Sequence, residues 1–269
     1  MLTKAKLHYL KSLGVKKFRD KEGVFLVEGW KTIEEAAAAG VKFELLLFTR
    51  GAREEGRFAT QFGLAMKNSR EFSEVSSREF EQIADTVAGQ GIAAVVRKFG
   101  DDREAEMASA LRREKVFAVA LDEVSDPGNL GAIIRSTDWF GANILILSDR
   151  CVELYNPKVV RATAGSLFHI PIISAHGGDD RFGFLLDRFR SSGFRVFGAT
   201  VDGHTNLRDL RWPDKSVLVI GNEARGISPE TARLLDETVA IPKFGRAESL
   251  NAGVAAGIFL AHASFQVKR

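Results

Sequence analysis

Between residues 116 and 241 the chain returns five times to an apolar run of strand length: Val116–Leu121, Ile144–Leu147, Arg195–Ala199, 217–220 and 238–241. Helical patterns separate most of them. Strands covered on both faces read as continuous apolar runs, and consecutive parallel strands need a crossover of a dozen or more residues. The pattern predicts an α/β domain built on a parallel sheet with helices on both faces.

The first hundred residues alternate differently. Short β runs at 24–28, 44–49, 64–67 and 92–99 flank helical stretches at 30–39 and 78–84, as in a small α/β domain of its own. The polar segment 100–115, GDDREAEMASALRREK, interrupts the apolar pattern and reads as a linker or an exposed helix. The expected division is a first domain at 1–100, a linker at 101–115 and a second domain at 116–269.

At 269 residues with 45% hydrophobic content, the chain can bury a proper core. A single cysteine, Cys151, excludes an internal disulfide and a four-cysteine zinc site, which fits a reducing cytosol, and Cys151 reads as structural. Leu7, Leu10 and Leu13 are interleaved with lysines, so the N-terminus lacks the apolar core of a signal peptide. No apolar run approaches the ~20 residues of a membrane span. A cytoplasmic protein is expected. The net charge of +3 is too small to demonstrate a nucleic-acid partner. Its distribution is more telling: Lys4, Lys6, Lys11, Lys16, Lys17, Arg19 and Lys21 face only Asp20 between residues 4 and 21. Such a basic helix either lies along a phosphate backbone or is a solvated surface.

Three stretches put glycines and short polar side chains beside an apolar strand or helix: DPGNLGAIIR at 126–135, IGNEARG at 220–226 and IPKFGRAESLN at 241–251. Each begins where a strand ends or a helix starts, which is where ligands of open parallel sheets bind. Asp126-Pro127-Gly128 is turn chemistry, with Asn129 suited to cap a helix from Leu130. Arg135 then falls on an otherwise apolar or small segment and calls for an anionic partner, either a protein carboxylate or a ligand phosphate. Ser228-Pro229 is a good helix start. Ser249-Leu250-Asn251 opens a helix of small and apolar residues, read as buried, so Ser249 and Asn251 are expected to face a ligand or a neighbouring loop. Gly89-Gln90-Gly91 continues into a strand, not the helix a dinucleotide fingerprint needs, and no phosphate-binding P-loop occurs. Asp122, Glu123 and Asp126 lack an ordered metal-ligand spacing, so no metal is expected.

In this order and spacing, the three stretches resemble motifs one, two and three of the SpoU (TrmH-type) RNA ribose 2′-O-methyltransferases of the SPOUT class. VVRATAGSLF at 159–168 adds to the likeness. Residues 1–100 are similar to the family's L30e-like substrate-binding domain through FLVEG at 25–29 and QGIAAV at 90–95. The resemblance implies a C-terminal domain tied as a deep trefoil knot, an exception to the rule that chains do not thread loops. It implies S-adenosylmethionine as cofactor, held by Thr200, Gly221, Ile241, Ser249 and Leu250, largely through backbone groups. It also implies a homodimer through the C-terminal domain.

The catalytic positions carried over are Arg135, Asn129, Glu223, Ser249 and Asn251. Arg135 would receive phosphate and ribose, its base role left open because a guanidinium resists deprotonation. Glu223 and Asn129 would hold that arginine and the ribose, and Ser249 and Asn251 would shape the pocket. A valine at Gly221 would fill space needed by the cofactor. The added L30e-like domain favours large-subunit rRNA as substrate, with tRNA as the alternative. A non-catalytic RNA-binding protein of the same fold is the remaining reading.

Overall fold

All five apolar runs of the C-terminal half are strands in the computed structural model, which describes residues 2–84, 89–99, 104–175 and 181–266. The chain forms two compact units, Met1–Phe99 with Glu153–His169, and Gly100–Val152 with Ile170–Arg269. Helices α1 (Lys4–Ser12), α2 (Lys16–Glu22), α3 (Trp30–Ala38), α4 (Arg50–Glu54), α5 (Ala59–Asn68) and α6 (Ser77–Ile83) lie in the first unit with strands β1 (Val24–Glu28), β2 (Phe43–Thr49), β3 (Phe72–Val75) and β4 (Ile92–Arg97). The second unit opens with α7 (Glu104–Arg112), β5 (Val116–Leu121), α8 (Pro127–Trp139) and β6 (Ile144–Leu147). Helix α9 (Pro157–Ala162) returns to the first unit. Strand β7 (Ile172–Ser174), α10 (Arg181–Ser191), β8 (Arg195–Ala199), β9 (Thr205–Asn206), β10 (Lys215–Ile220), α11 (Pro229–Ala232), β11 (Glu237–Ala240) and α12 (Ala252–Gln266) complete the second.

In the second unit seven strands run parallel in the order β7-β6-β5-β10-β8-β11-β9. Every residue of β5 is buried, as a strand covered on both faces requires. Val116, Ala118 and Ala120 enter one cluster with Phe182, Leu186 and Phe189 of α10. Phe117 alternates to the opposite face, where its ring and that of Phe197 each meet Trp212 edge-on at 5.0 Å. Part of the expected linker is helix α7, whose Met107 and Ala110 enter the same core and so are not exposed; residues 101–103 lie outside the described residues. The short edge strands β7 and β9 carry too few residues to register in the sequence pattern.

The first unit holds a mixed sheet in the order β1-β4-β2-β3, with β4 antiparallel to both neighbours and β2 parallel to β3. Residues 64–67, expected as a strand, belong to helix α5 instead. Three apolar residues and a lysine cannot show a period, whereas buried Ala65 and Asn68 recur at helical spacing and Phe62 packs on Trp30 and Phe48. The strand of that region is β3, eight residues later. The single basic helix is two helices broken at Gly14, with Leu10 and Leu13 buried. Among the described residues no helix is long and apolar enough to cross a membrane.

Segment Glu153–His169, which the sequence reading kept with the second domain, packs in the first unit. Tyr155 lies 4.6 Å from the Phe25 ring, and Asn156 caps α9. Arg19 is only 2% exposed and is therefore not a surface cation. It donates to both carboxylate oxygens of Glu153 and, at 2.8 Å, to the Leu13 carbonyl. Removing Arg19 takes the two-pronged partner from a buried carboxylate and leaves it the longer contact to Lys98 at 3.5 Å. Arg19→Met should lower stability to urea by about 3–5 kcal/mol, and adding Glu153→Leu should recover part of the loss. A loss under about 1 kcal/mol for the single variant would contradict this account of the pair.

Candidate active site at the carboxyl edge of the parallel sheet

Strands β5 and β10 are neighbours where the strand order changes direction: β6 and β7 lie beyond β5, while β8, β11 and β9 lie beyond β10. A crevice at the carboxyl ends of such a switch point is the usual ligand site of an open parallel sheet. The chain leaves that edge at Asp122 after β5, Thr200 after β8, Gly221 after β10 and Ile241 after β11. All three marked stretches therefore begin on one edge.

Asp126, not Asn129, caps α8. Its carboxylate accepts from the Asn129 N–H at 2.8 Å, with Pro127 in the first turn, the position proline prefers. With Asp126 as the cap, the Asn129 side-chain amide is free for other partners. Its Nδ2 donates to Glu223 Oε1 at 2.9 Å, and its Oδ1 accepts from Asn251 Nδ2 at 2.8 Å. Asn251 in turn caps α12, its Oδ1 accepting from the N–H groups of Gly253 and Val254. One residue from each marked stretch thus joins a single relay.

Glu223 anchors the relay. Oε1 also accepts from the Asp126 N–H at 3.1 Å, while Oε2 accepts from the N–H and hydroxyl of Ser125 at 3.2 and 3.1 Å. Burial pushes this carboxyl upward, but the bonds from Asn129, its own N–H, Ser125 and Asp126 outweigh burial and hold it below the ordinary carboxylate range. Ser125 escaped the sequence reading, because a serine in a turn carries no distinguishing pattern.

Arg135 lies about a turn and a half along α8 from Asn129. It is exposed and makes no hydrogen bond or ion pair with any described residue. Of the two partners the sequence left open, the described protein carboxylates do not supply one. Glu223 and Asn129, expected to hold this arginine, hold each other instead.

The expectation of a buried α12 start is also corrected. Ser249, Leu250 and Asn251 are exposed, and so are Val254 and Ile258, whereas Ala256, Phe259, Leu260 and Ala263 are buried. Small residues serve the side facing α8: a Cβ on Gly253 would come within 3.3 Å of the Ala132 Cβ. Gly221 is buried beneath its own loop. A Cβ there would lie 2.3 Å from the Gly226 carbonyl carbon and the Ile227 nitrogen, so a valine would break the loop before it could fill a ligand's space.

Ile241 is half-buried just after β11. Thr200 is half-buried at the end of β8, and its hydroxyl is buried without a hydrogen-bond partner among the described residues. A buried hydroxyl without a partner is costly and marks a place for a polar ligand atom. The carboxylates just after β5 are otherwise engaged: Asp122 accepts from the Ser228 N–H at 2.7 Å, and Glu123 binds Arg150 and Arg225. Among the described residues no cluster of His, Cys, Asp and Glu could hold a metal ion. Burial pushes the Cys151 thiol up to about 11, consistent with a structural role.

Because folding depresses the Glu223 carboxyl, its contribution to stability is full above the unfolded value of about 4.3 and is lost as pH falls through the folded value. Glu223→Gln should melt below the parent at pH 7, with the gap closing as pH drops under about 4. A gap that stays constant down to pH 3 would show that the charged form is not what the loop uses.

The SpoU rRNA Methylase family profile matches residues 116–261, and the profile of the MRM3-like substrate binding domain matches residues 4–94. A 23S rRNA (guanosine(2553)-2′-O)-methyltransferase, RlmP of Bacillus subtilis, is 29% identical over 94% of this chain and 93% of its own. An uncharacterized tRNA/rRNA methyltransferase of Mycobacterium avium is 33% identical over 89% of this chain and 77% of its own. Among solved structures, the SpoU methyltransferase AviRb from Streptomyces viridochromogenes, in complex with AdoMet, superposes with a TM-score of 0.85 at 30% identity over 98% of both chains. With three separated stretches joined at one sheet edge and a profile match over most of the second unit, the chain belongs to the SpoU rRNA methylase family.

Proposed function

We propose that this chain transfers a methyl group from S-adenosylmethionine to a ribose 2′-hydroxyl of large-subunit rRNA. The observation that carries the reading is Arg135: an unpaired guanidinium on the helix whose first turn is fixed by the Glu223–Asn129–Asn251 relay. Family membership and the AdoMet-bound relative supply the donor. The B. subtilis relative and the substrate-binding profile at 4–94 favour rRNA over tRNA.

The residues present fit the donor. Thr200 offers a buried hydroxyl without a partner among the described residues, the backbone leaves the same sheet edge at Gly221 and Ile241, and Ser249 and Leu250 lead from there into α12. S-adenosylmethionine supplies, when bound, a methyl group on a positively charged sulfur that leaves with the bonding electron pair. Arg135 binds the RNA phosphate beside the reacting ribose and donates to the 2′-oxygen, aligning it for in-line attack and easing loss of its proton to solvent water. Asn129 and Asn251, locked by Glu223, hold the first turn of α8 and the start of α12 at fixed separation, and Ser249 shapes the mouth of the pocket.

The remaining roles follow from the same reading. The second unit takes the trefoil-knotted form of its class, supported by β10 lying between β5 and β8. It pairs with a second copy, supported by exposed Val254 and Ile258, one turn apart on α12, with exposed Leu250 just before that helix. The L30e-like first unit grips RNA through Lys4, Lys11, Lys16 and Lys17, which are exposed, with Phe18 beside them. The reaction is read as cytoplasmic, a reading supported by the bacterial rRNA-methylating relative.

Incubating the full chain with labelled S-adenosylmethionine and protein-free rRNA should label a 2′-oxygen in the large-subunit RNA. Label on tRNA alone would overturn the substrate, and none on either would leave a non-catalytic RNA-binding protein. Arg135→Ala should cut transfer by roughly 100-fold or more while the donor still binds. Unchanged transfer would remove Arg135 from the mechanism.

A further inference from the structure

Glu123 lies between the first marked stretch and β5, and no role for it follows from the reaction as derived. It is 7% exposed, yet its backbone is left-handed at φ 61°, a conformation that non-glycine residues adopt at a cost. Strain of this kind persists only where surrounding contacts dictate it, and here they are explicit. The Glu123 N–H donates to Ser148 Oγ at 2.9 Å, and its carbonyl accepts from Asn222 Nδ2 at 2.8 Å. Its carboxylate accepts from Arg150 Nη1 at 2.7 Å and from Arg225 Nη2. Three loops on the carboxyl edge, after β5, β6 and β10, therefore meet at one residue.

The contacts to the loop after β10 are paired. Glu123 holds Asn222 through its backbone and Arg225 through its side chain, and Glu223 lies between those two positions. Asn222 completes the turn by accepting from the N–H groups of Ala224 and Arg225 with its Oδ1. A glutamate with a relaxed backbone would aim its carboxylate elsewhere, so the left-handed conformation lets one residue reach both ends of the turn. The two arginines are 65% and 72% exposed, so neither is buried by the pairing. What the carboxylate fixes is the loop.

We propose that Glu123 is a positioning residue for methyl transfer: through Asn222 and Arg225 it sets the turn that presents Glu223 to Ser125, Asp126 and Asn129. The link to catalysis rests on the methyltransferase reading above, whereas the clamp itself does not. Glu123→Gln keeps size and backbone but weakens the hold on Arg225. Glu123→Gly adopts the same φ without strain and removes the hold altogether.

Hydrogen exchange on the full chain separates clamp from reaction. Glu123→Gln and Glu123→Gly should both speed exchange at the Ala224 and Arg225 amides by about 10-fold or more, with melting temperature within a few degrees of the parent. Parent-like exchange in both variants would overturn the clamp whether or not the protein methylates RNA. In the transfer assay Glu123→Gly should lose about 10–100-fold in kcat with a smaller change in KM for RNA. Combining Glu123→Gln with Arg225→Gln should lose no more than the worse single variant, since both cut one connection. Full kcat in Glu123→Gly, or additive losses in the double variant, would overturn the positioning role. A parent without transfer would count against the methyltransferase reading and leave the exchange result standing.

Discussion

A single carboxylate sets the arrangement on which the rest of the site depends. Glu223 collects four hydrogen bonds, three from the loop between β5 and α8 and one from Asn129 in the first turn of α8, and the last passes through Asn129 to Asn251 at the head of α12. Segments far apart in sequence are thereby registered by bonds of 2.8 to 3.2 Å. Because charged acceptors form the stronger hydrogen bonds, the loop after β10 is fastened to the switch point of the sheet instead of hanging free. Close packing of Gly253 against Ala132 then fixes α12 along α8, so Arg135 stands on a helix restrained at its first turn and along one side. A restrained scaffold that presents Arg135 suits a reaction in which orienting two reactants is most of the task.

The central strands were legible in the sequence for a physical reason. A parallel strand covered on both faces must be apolar throughout, and β5, β6 and β8 sit where their runs predict. The failures share a cause too. Strands β3, β7 and β9 are four residues or shorter, and the run at 64–67 was too brief to distinguish a period of two from one of 3.6. Residue type alone could not place Glu153–His169 with the first unit, because Tyr155 and Glu153 find their partners only in three dimensions.

In the site, residue identity was readable but the wiring was not. Asn129, Glu223 and Asn251 were each marked from their loops, and they meet in one relay. Yet Asn129 was assigned the capping duty of Asp126, and Glu223 was assigned to Arg135 when its oxygens go to Ser125, Asp126 and Asn129. Caps and carboxylate partners depend on angles within a turn, which residue spacing does not encode. Glu123 was weighed only as a metal ligand, since a left-handed glutamate leaves no trace in a sequence.

On this account the three loops make one donor site. Amide hydrogen exchange with and without S-adenosylmethionine tests it most directly. Protection should rise together at 125–129, at 221–226 and at 241–251, and at Thr200 after β8. Protection confined to one of these segments, or appearing only elsewhere in the chain, would contradict a shared site at the carboxyl edge.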